Sequence, residues 1–301
     1  DGNGKYSDIL LGYPTVLDYL QDDCYMGAIV GRFANRIGGA TFSLEDHEYT
    51  LEKNDGANTN HGGYSGFHSK IWKGSYEGNK IVFRLSSAHL EGGYPGNVEV
   101  TVSYSFTSDG MVSIDFDGVS DRLTVLNLTN HAYFNLAGKG DILQHRVTIP
   151  SSYILETNAE FIPSGGILPV EATEFDFRYG KNIGKDIEKQ TQQLEWNRGY
   201  NHCYVFSLYD ERKMKWTASV YEPKSRRKLD VFTTYPGVLF YSSGYLSSQI
   251  VGKQGYKYTP MCGFCLETQY FPDFPNHSEF PQGVVFPEKP YHHTTLYKLS
   301  V

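Results

Sequence analysis

Residues Val98 to Phe106 read Val-Glu-Val-Thr-Val-Ser-Tyr-Ser-Phe, an unbroken alternation that constrains the fold more than any other stretch of the chain. Successive side chains of a strand leave on opposite faces, so this run makes one apolar and one polar face, a pattern no helix shares. Ser108-Asp-Gly110 follows, and Val112, Ile114 and Phe116 then resume the alternation. The segment is predicted to be a hairpin with one buried face. Turn signals of the same kind recur at Asp1-Gly-Asn-Gly4 and Glu77-Gly-Asn79. Aromatic residues make up 15% of the chain, which favours strands over helices. Helix is expected only from about Val16 to Gln21, capped by Thr15, and in a polar stretch within Asp186 to Leu194. Nothing reads as a Gly-rich phosphate loop, a βαβ crossover, an internal repeat or a Pro- or Ser-rich linker. The expectation is an all-β fold, a large antiparallel β-sandwich forming a single domain over residues 1–301.

A formal charge of -7 argues against nucleic acid or an anionic membrane surface as partner, because both need clustered Lys and Arg. No run is long and apolar enough to span a bilayer, and the amino terminus carries no signal-peptide pattern, so a cytoplasmic protein is expected. Cys24, Cys203, Cys262 and Cys265 are too few for a disulfide scaffold. Cys262-Gly-Phe-Cys265 has the C-x-x-C form, but it leads into a strand-like run, where positions three apart face opposite ways. Buried or half-buried free thiols are expected instead. Adjacent His292 and His293 should likewise point to opposite faces, which disfavours a shared metal.

The stretch Leu126 to Gly138 alternates as well. A strand there would send Leu126, Leu128, Ala132 and Phe134 to one face, and Asn127, Thr129, His131, Tyr133 and Asn135 to the other. Five neutral donors and acceptors around an imidazole suit a polyhydroxylated ligand, although a solvated strand face would look the same. Four other segments mix small residues, Asn and charged or imidazole groups: Gly31 to Ile37, Asn60 to Gly63, Gly199 to Cys203 and Gly263 to Gln269. Glu267 shares a strand face with Cys265 and Gln269. A carboxylate in such surroundings is either paired, with an Arg such as Arg36, or used chemically. His61, beside two glycines, is either a turn residue or a functional one.

Together these segments resemble the aldose 1-epimerase family. The matching blocks are GRFANRIG at Gly31 to Gly38, NHGG at Asn60 to Gly63, NHAYFNLAG at Asn130 to Gly138 and GFCLETQYFPDFPNH at Gly263 to His277, with Tyr291 to Tyr297 similar to the family's closing strand. The blocks keep the family's order. Members usually begin with further strands, so the chain is expected to lack the start of the domain. The resemblance implies a many-stranded sandwich with an open sugar cleft, acting on free aldohexoses such as galactose and glucose without metal or organic cofactor. Carried over, it makes Glu267 the general base at the anomeric hydroxyl and His131 the general acid at the ring oxygen, with His61 assisting there. Asn35, Arg36 and Asn201 would bind sugar hydroxyls. The partner is then a small sugar, and the protein a monomer or weak homodimer.

Opening a hemiacetal needs a proton removed from O1 and one supplied to the ring oxygen, which a carboxylate and an imidazolium together provide. Proximity is expected to lower the carboxyl pKa and raise that of the imidazole, with Arg36 reinforcing the first effect and opposing the second. Two positions depart from the family's pattern: Asn201 stands where Asp is usual and Leu239 where Gln is usual. Each weakens contact with sugar hydroxyls, so hexose binding is expected to be weaker or shifted. The alternatives are a hexose-phosphate relative, for which Arg32 is the extra cationic candidate, and a non-catalytic sugar-binding sandwich.

Overall fold

The computed structural model describes residues 1–206, 210–211 and 213–301. Two antiparallel sheets dominate. The larger has nine strands, in the order Lys181–Asn182, Arg146–Thr148, Lys215–Tyr221, Lys228–Thr233, Tyr291–Ser300, Met111–Ser120, Val98–Phe106, Lys80–Ser87, Lys73–Glu77. The hairpin read from the alternation lies beside its central strand Tyr291–Ser300, with Val98 opposite Ser120 and Phe106 opposite Val112. Val98, Val100, Val102, Ile114 and Phe116 are buried, as the period of two requires. Glu77 and Lys80 close a second hairpin at the predicted Gly-Asn turn.

The smaller sheet has five strands, ordered Pro163–Pro169, Tyr153–Thr157, Asn201–Val205, Gly237–Tyr241, Cys265–Gln269. Its even-numbered side chains, among them Ile154, Tyr204, Phe240 and Leu266, enter a core shared with the larger sheet. A bond of 2.6 Å between the hydroxyls of Thr268 and Thr295 ties the two layers together through that core. This is the expected antiparallel β-sandwich. The odd-numbered side chains of the smaller sheet, including Asn201, Leu239 and Glu267, leave on its other face.

Helix is scarce. Val16–Tyr19 forms one turn, and the Asp18 carboxylate accepts hydrogen bonds from the backbone N–H and hydroxyl of Thr15. The second helix, Gln192–Asn197 after Thr191, begins inside the expected stretch Asp186 to Leu194 and runs three residues past it. Asp186 is instead held in a turn by Lys181 and Lys189, at 2.8 and 3.1 Å. The polar run lacks an apolar stripe, and helix begins only where Leu194 can be buried. No helix of the described residues is long and apolar enough to cross a membrane.

Leu126 to Gly138 does not form one long strand. Only Thr129–Asn130 pairs regularly, with Ile29–Val30, and single bridges join Asn127 to Phe33 and Phe134 to Leu10 and Phe264. Both edges of the segment are buried, because it is threaded between other chain segments rather than laid on a surface. Its asparagines mostly brace backbone. Asn127 donates to the carbonyls of Ala34 and Tyr270 and accepts from the N–H of Tyr270. Asn135 donates to Gly140 and Cys262.

Candidate active site

Three elements bring the site together. The first is the edge strand Cys265–Gln269, where Glu267 lies opposite Leu239 and Leu239 lies opposite Cys203. The second is the threaded segment carrying His131. The third is a pair of linked turns carrying Asn35 and His61, joined where Arg36 pairs with Asn60.

Those turns are locked by a reciprocal clip. The Asn35 N–H donates to Nδ1 of His61 at 3.1 Å, while the His61 N–H donates to the Asn35 carbonyl at 3.1 Å. Both residues have positive φ, 67° and 51°. Gly62 follows at φ 86°, and a Cβ there would lie 2.2 Å from the Gly31 carbonyl oxygen, so only glycine fits. The clip also fixes chemistry. With Nδ1 accepting, neutral His61 carries its proton on Nε2 and presents a donor.

Nε2 of His131 lies 3.6 Å from Oε1 of Glu267, and ligand-capable atoms of His61, His131 and Glu267 all fall within 4.8 Å of one another. All three side chains are buried. Two imidazoles and a carboxylate could hold a divalent ion. Coordination through Nε2 of His61 would, however, require the opposite tautomer and break its bond from Asn35. Rings surround the imidazoles: Tyr25 is centred 4.5 Å from His61 and 6.0 Å from His131. Cys265 Sγ lies 3.6 Å from Nδ1 of His131.

Burial governs the charges here. It pushes the Glu267 carboxyl up from 4.5 to about 8, opposed only by the field of Arg36. It pushes His131 down from 6.5 to about 4 and His61 well below the usual imidazole range. Proximity was expected to move Glu267 and His131 in the opposite directions. Desolvation of two buried groups outweighs their mutual attraction. Between the two values the pair holds one proton in total, the same count whether written as neutral acid with neutral imidazole or as carboxylate with imidazolium.

Arg36 does not form the ion pair with Glu267 that would have explained the carboxylate structurally. Its Nε donates to Asp55 at 2.6 Å, and its guanidinium lies 4.8 Å above the Phe161 ring. Arg36, Asn35, Phe161, Asn201, Cys203 and Leu239 line one open cleft. Asn201 and Leu239, the two departures from the family's pattern, thus share a wall with the expected binding residues. Arg32 is no cleft cation: it is buried and donates to Ser87 Oγ and to the carbonyls of Pro95, Ser87 and Ala88.

The other sequence candidates lie elsewhere. Cys262 and Cys265 are buried free thiols, with no disulfide between them. His292 is exposed and meets Asp117 at 2.7 Å, whereas His293 is buried against Tyr270 and Thr234. His277 pairs with Asp273 and Glu279. Tyr25 and Phe161 were not anticipated, since lone aromatics in irregular loops carry no periodic signal.

The model of the aldose 1-epimerase family matches residues 1–298. The chain is 40% identical over 303 residues to galactose mutarotase of Rattus norvegicus, covering all of this chain and 86% of that protein. It is 32% identical over 300 residues to aldose 1-epimerase of Escherichia coli K12, covering 98% and 86%. Among solved structures it resembles an aldose epimerase homologue from C. elegans, with a TM-score of 0.92, 28% identity, and coverage of 100% of this chain and 90% of that one. Galactose 1-epimerase from Lactobacillus acidophilus shares the fold, with a TM-score of 0.85 at 23% identity, covering 98% and 85%. This chain belongs to the aldose 1-epimerase family.

Proposed function

We propose that this protein interconverts the α and β anomers of free aldohexoses, with galactose and glucose as the first candidates. The observation that carries the reading is the convergence of Glu267, His131 and His61 within 4.8 Å, buried beside an open cleft lined by Asn35, Arg36 and Asn201. Glu267 removes the O1 proton as the C1 to ring-oxygen bond breaks, and His131 delivers its proton to the ring oxygen, leaving an open-chain aldehyde. Rotation about C1–C2 presents the other carbonyl face. The ring hydroxyl then adds to it, returning its proton to His131 while O1 recovers one from Glu267.

The singly protonated pair has the right proton count for this cycle. Sugar hydroxyls donating to Glu267 favour its ionised form, so binding selects the carboxylate–imidazolium arrangement that burial alone opposes. His61, locked as an Nε2 donor, supports the ring oxygen as negative charge develops there. Asn35, Arg36 and Asn201 hold hydroxyls. Leu239 offers none of them a partner, which supports weaker or shifted hexose preference.

A phosphorylated sugar is the less favoured substrate, because Arg32 is consumed by four hydrogen bonds. Cysteines too few for a disulfide scaffold support a cytoplasmic location. All the proposed site residues come from one chain, so a monomer or weak homodimer suffices. Polarimetry of freshly dissolved α-D-galactose and α-D-glucose tests the activity. Acceleration absent from Glu267→Gln supports it, and acceleration retained in that variant removes Glu267 from the mechanism.

A further inference from the structure

Four buried polar atoms near Glu267 make no hydrogen bond within the described chain: Oε2 of Glu267 itself, both amide atoms of Gln269, and Oγ1 of Thr129. Buried donors and acceptors without partners are rare and need a physical account. These four belong together in the fold. Gln269 follows Glu267 by two residues on one strand, so both side chains leave on the same face, about 6 to 7 Å apart at the backbone.

Thr129 comes from the threaded segment. That segment makes an antiparallel bridge from Phe134 to Phe264, and extending the register places His131 opposite Glu267 and Thr129 opposite Gln269. The His131–Glu267 contact at 3.6 Å fits this register, and further along the Asn127 side chain accepts from the Tyr270 N–H at 2.9 Å. Thr129 and Gln269 are both fully buried.

We propose that Gln269 and Thr129 are positioning residues that hold an ordered water against Oε2 of Glu267. Such a water would have several polar partners, as buried waters require. Its chemistry suits a carboxyl that alternately takes and gives a proton. A Lys or Arg in this place would lock Glu267 in its ionised form. An amide, a hydroxyl and a water each donate and accept, so the bond to Oε2 reverses as the carboxyl gains or loses its proton. Oε1 then stays directed toward His131 through the cycle. The inference rests on Glu267 being the proton-transferring group proposed above.

The test uses Gln269→Leu and Thr129→Val in the full chain, with Thr129→Ser as the conservative control. Polarimetric kcat for galactose should fall about tenfold in the first two, corresponding to about 1.4 kcal/mol. KM should stay within about twofold, because neither side chain lines the cleft with Asn35, Arg36 and Asn201, and Thr129→Ser should retain most activity. Independently of turnover, carbon NMR of δ-labelled glutamate, assigned through Glu267→Gln, follows the Glu267 carboxyl directly. Its titration midpoint should rise by about one pH unit in Gln269→Leu, since of the two bonds lost the charge-assisted one to the ionised form is the stronger. An unmoved midpoint in the variants that fold would overturn the proposal, as would a raised KM with unchanged kcat, which would make Gln269 a sugar ligand. If the wild type itself lacks mutarotase activity, the proposed function fails while the titration still decides the water site.

Discussion

Replacing Glu267 by Gln should make this protein more stable near neutral pH while abolishing its activity. Glu267 has 1% of its surface exposed, and burial raises its carboxyl from 4.5 to about 8. A raised carboxyl contributes stability that is fully present below the unfolded value and is lost as pH climbs through the folded one. At pH 7 the unfolded chain has ionised its glutamate, whereas the folded chain largely has not. The cost is about 1.36 kcal/mol per unit over about 2.5 units, or about 3 kcal/mol. Gln is isosteric with the protonated acid and does not ionise, so the variant escapes this cost. Urea unfolding at a series of pH values is the assay. The midpoint of Glu267→Gln should exceed that of the wild type at pH 7, by about 3 kcal/mol at unchanged slope, and the difference should vanish below about pH 4.5. A variant less stable than the wild type at pH 7, or a gap that widens toward low pH, would show that Glu267 is ionised and paired in the folded protein.

Other outcomes follow from the same geometry. The rate of mutarotation should be bell-shaped in pH, flat between about 4 and 8, because only there does the Glu267–His131 pair hold one proton; a rate still rising at pH 9 would contradict this. Leu239→Gln and Asn201→Asp should each lower KM for galactose, about tenfold together, with kcat nearly unchanged, as expected for about 1.4 kcal/mol of uniform binding. Unchanged KM for every aldose tested would detach those positions from the sugar. Arg32→Ala should destabilise the fold by about 2 to 4 kcal/mol, since it removes the guanidinium's hydrogen bonds to the buried carbonyls of Pro95 and Ser87, and should not alter any preference between free and phosphorylated sugars.

The sandwich was legible because period-two alternation and Gly-containing turns act locally: Val98 to Phe116 can be read without knowing what lies beside it. The site was legible as residue types in blocks, but its electrostatics was not. Whether Glu267 and His131 are drawn to charge or to neutrality depends on how completely three distant segments exclude water, a property no local pattern encodes. The same limit governs Leu126 to Gly138. Its alternation is real, yet both of its edges are buried, so Asn127 and Asn135 became backbone braces rather than ligands. Arg32 and Arg36 show the converse. Both sit in one cationic block, but Arg32 ends among carbonyls and Arg36 at the cleft, separated by the turn that places Asn35 against His61.

Proton transfer by Glu267 is tested most simply by the optical rotation of freshly dissolved α-D-galactose followed with wild type, with Glu267→Gln and without protein. The wild type alone should accelerate the change. No acceleration by folded wild type, or equal acceleration by the variant, would contradict it.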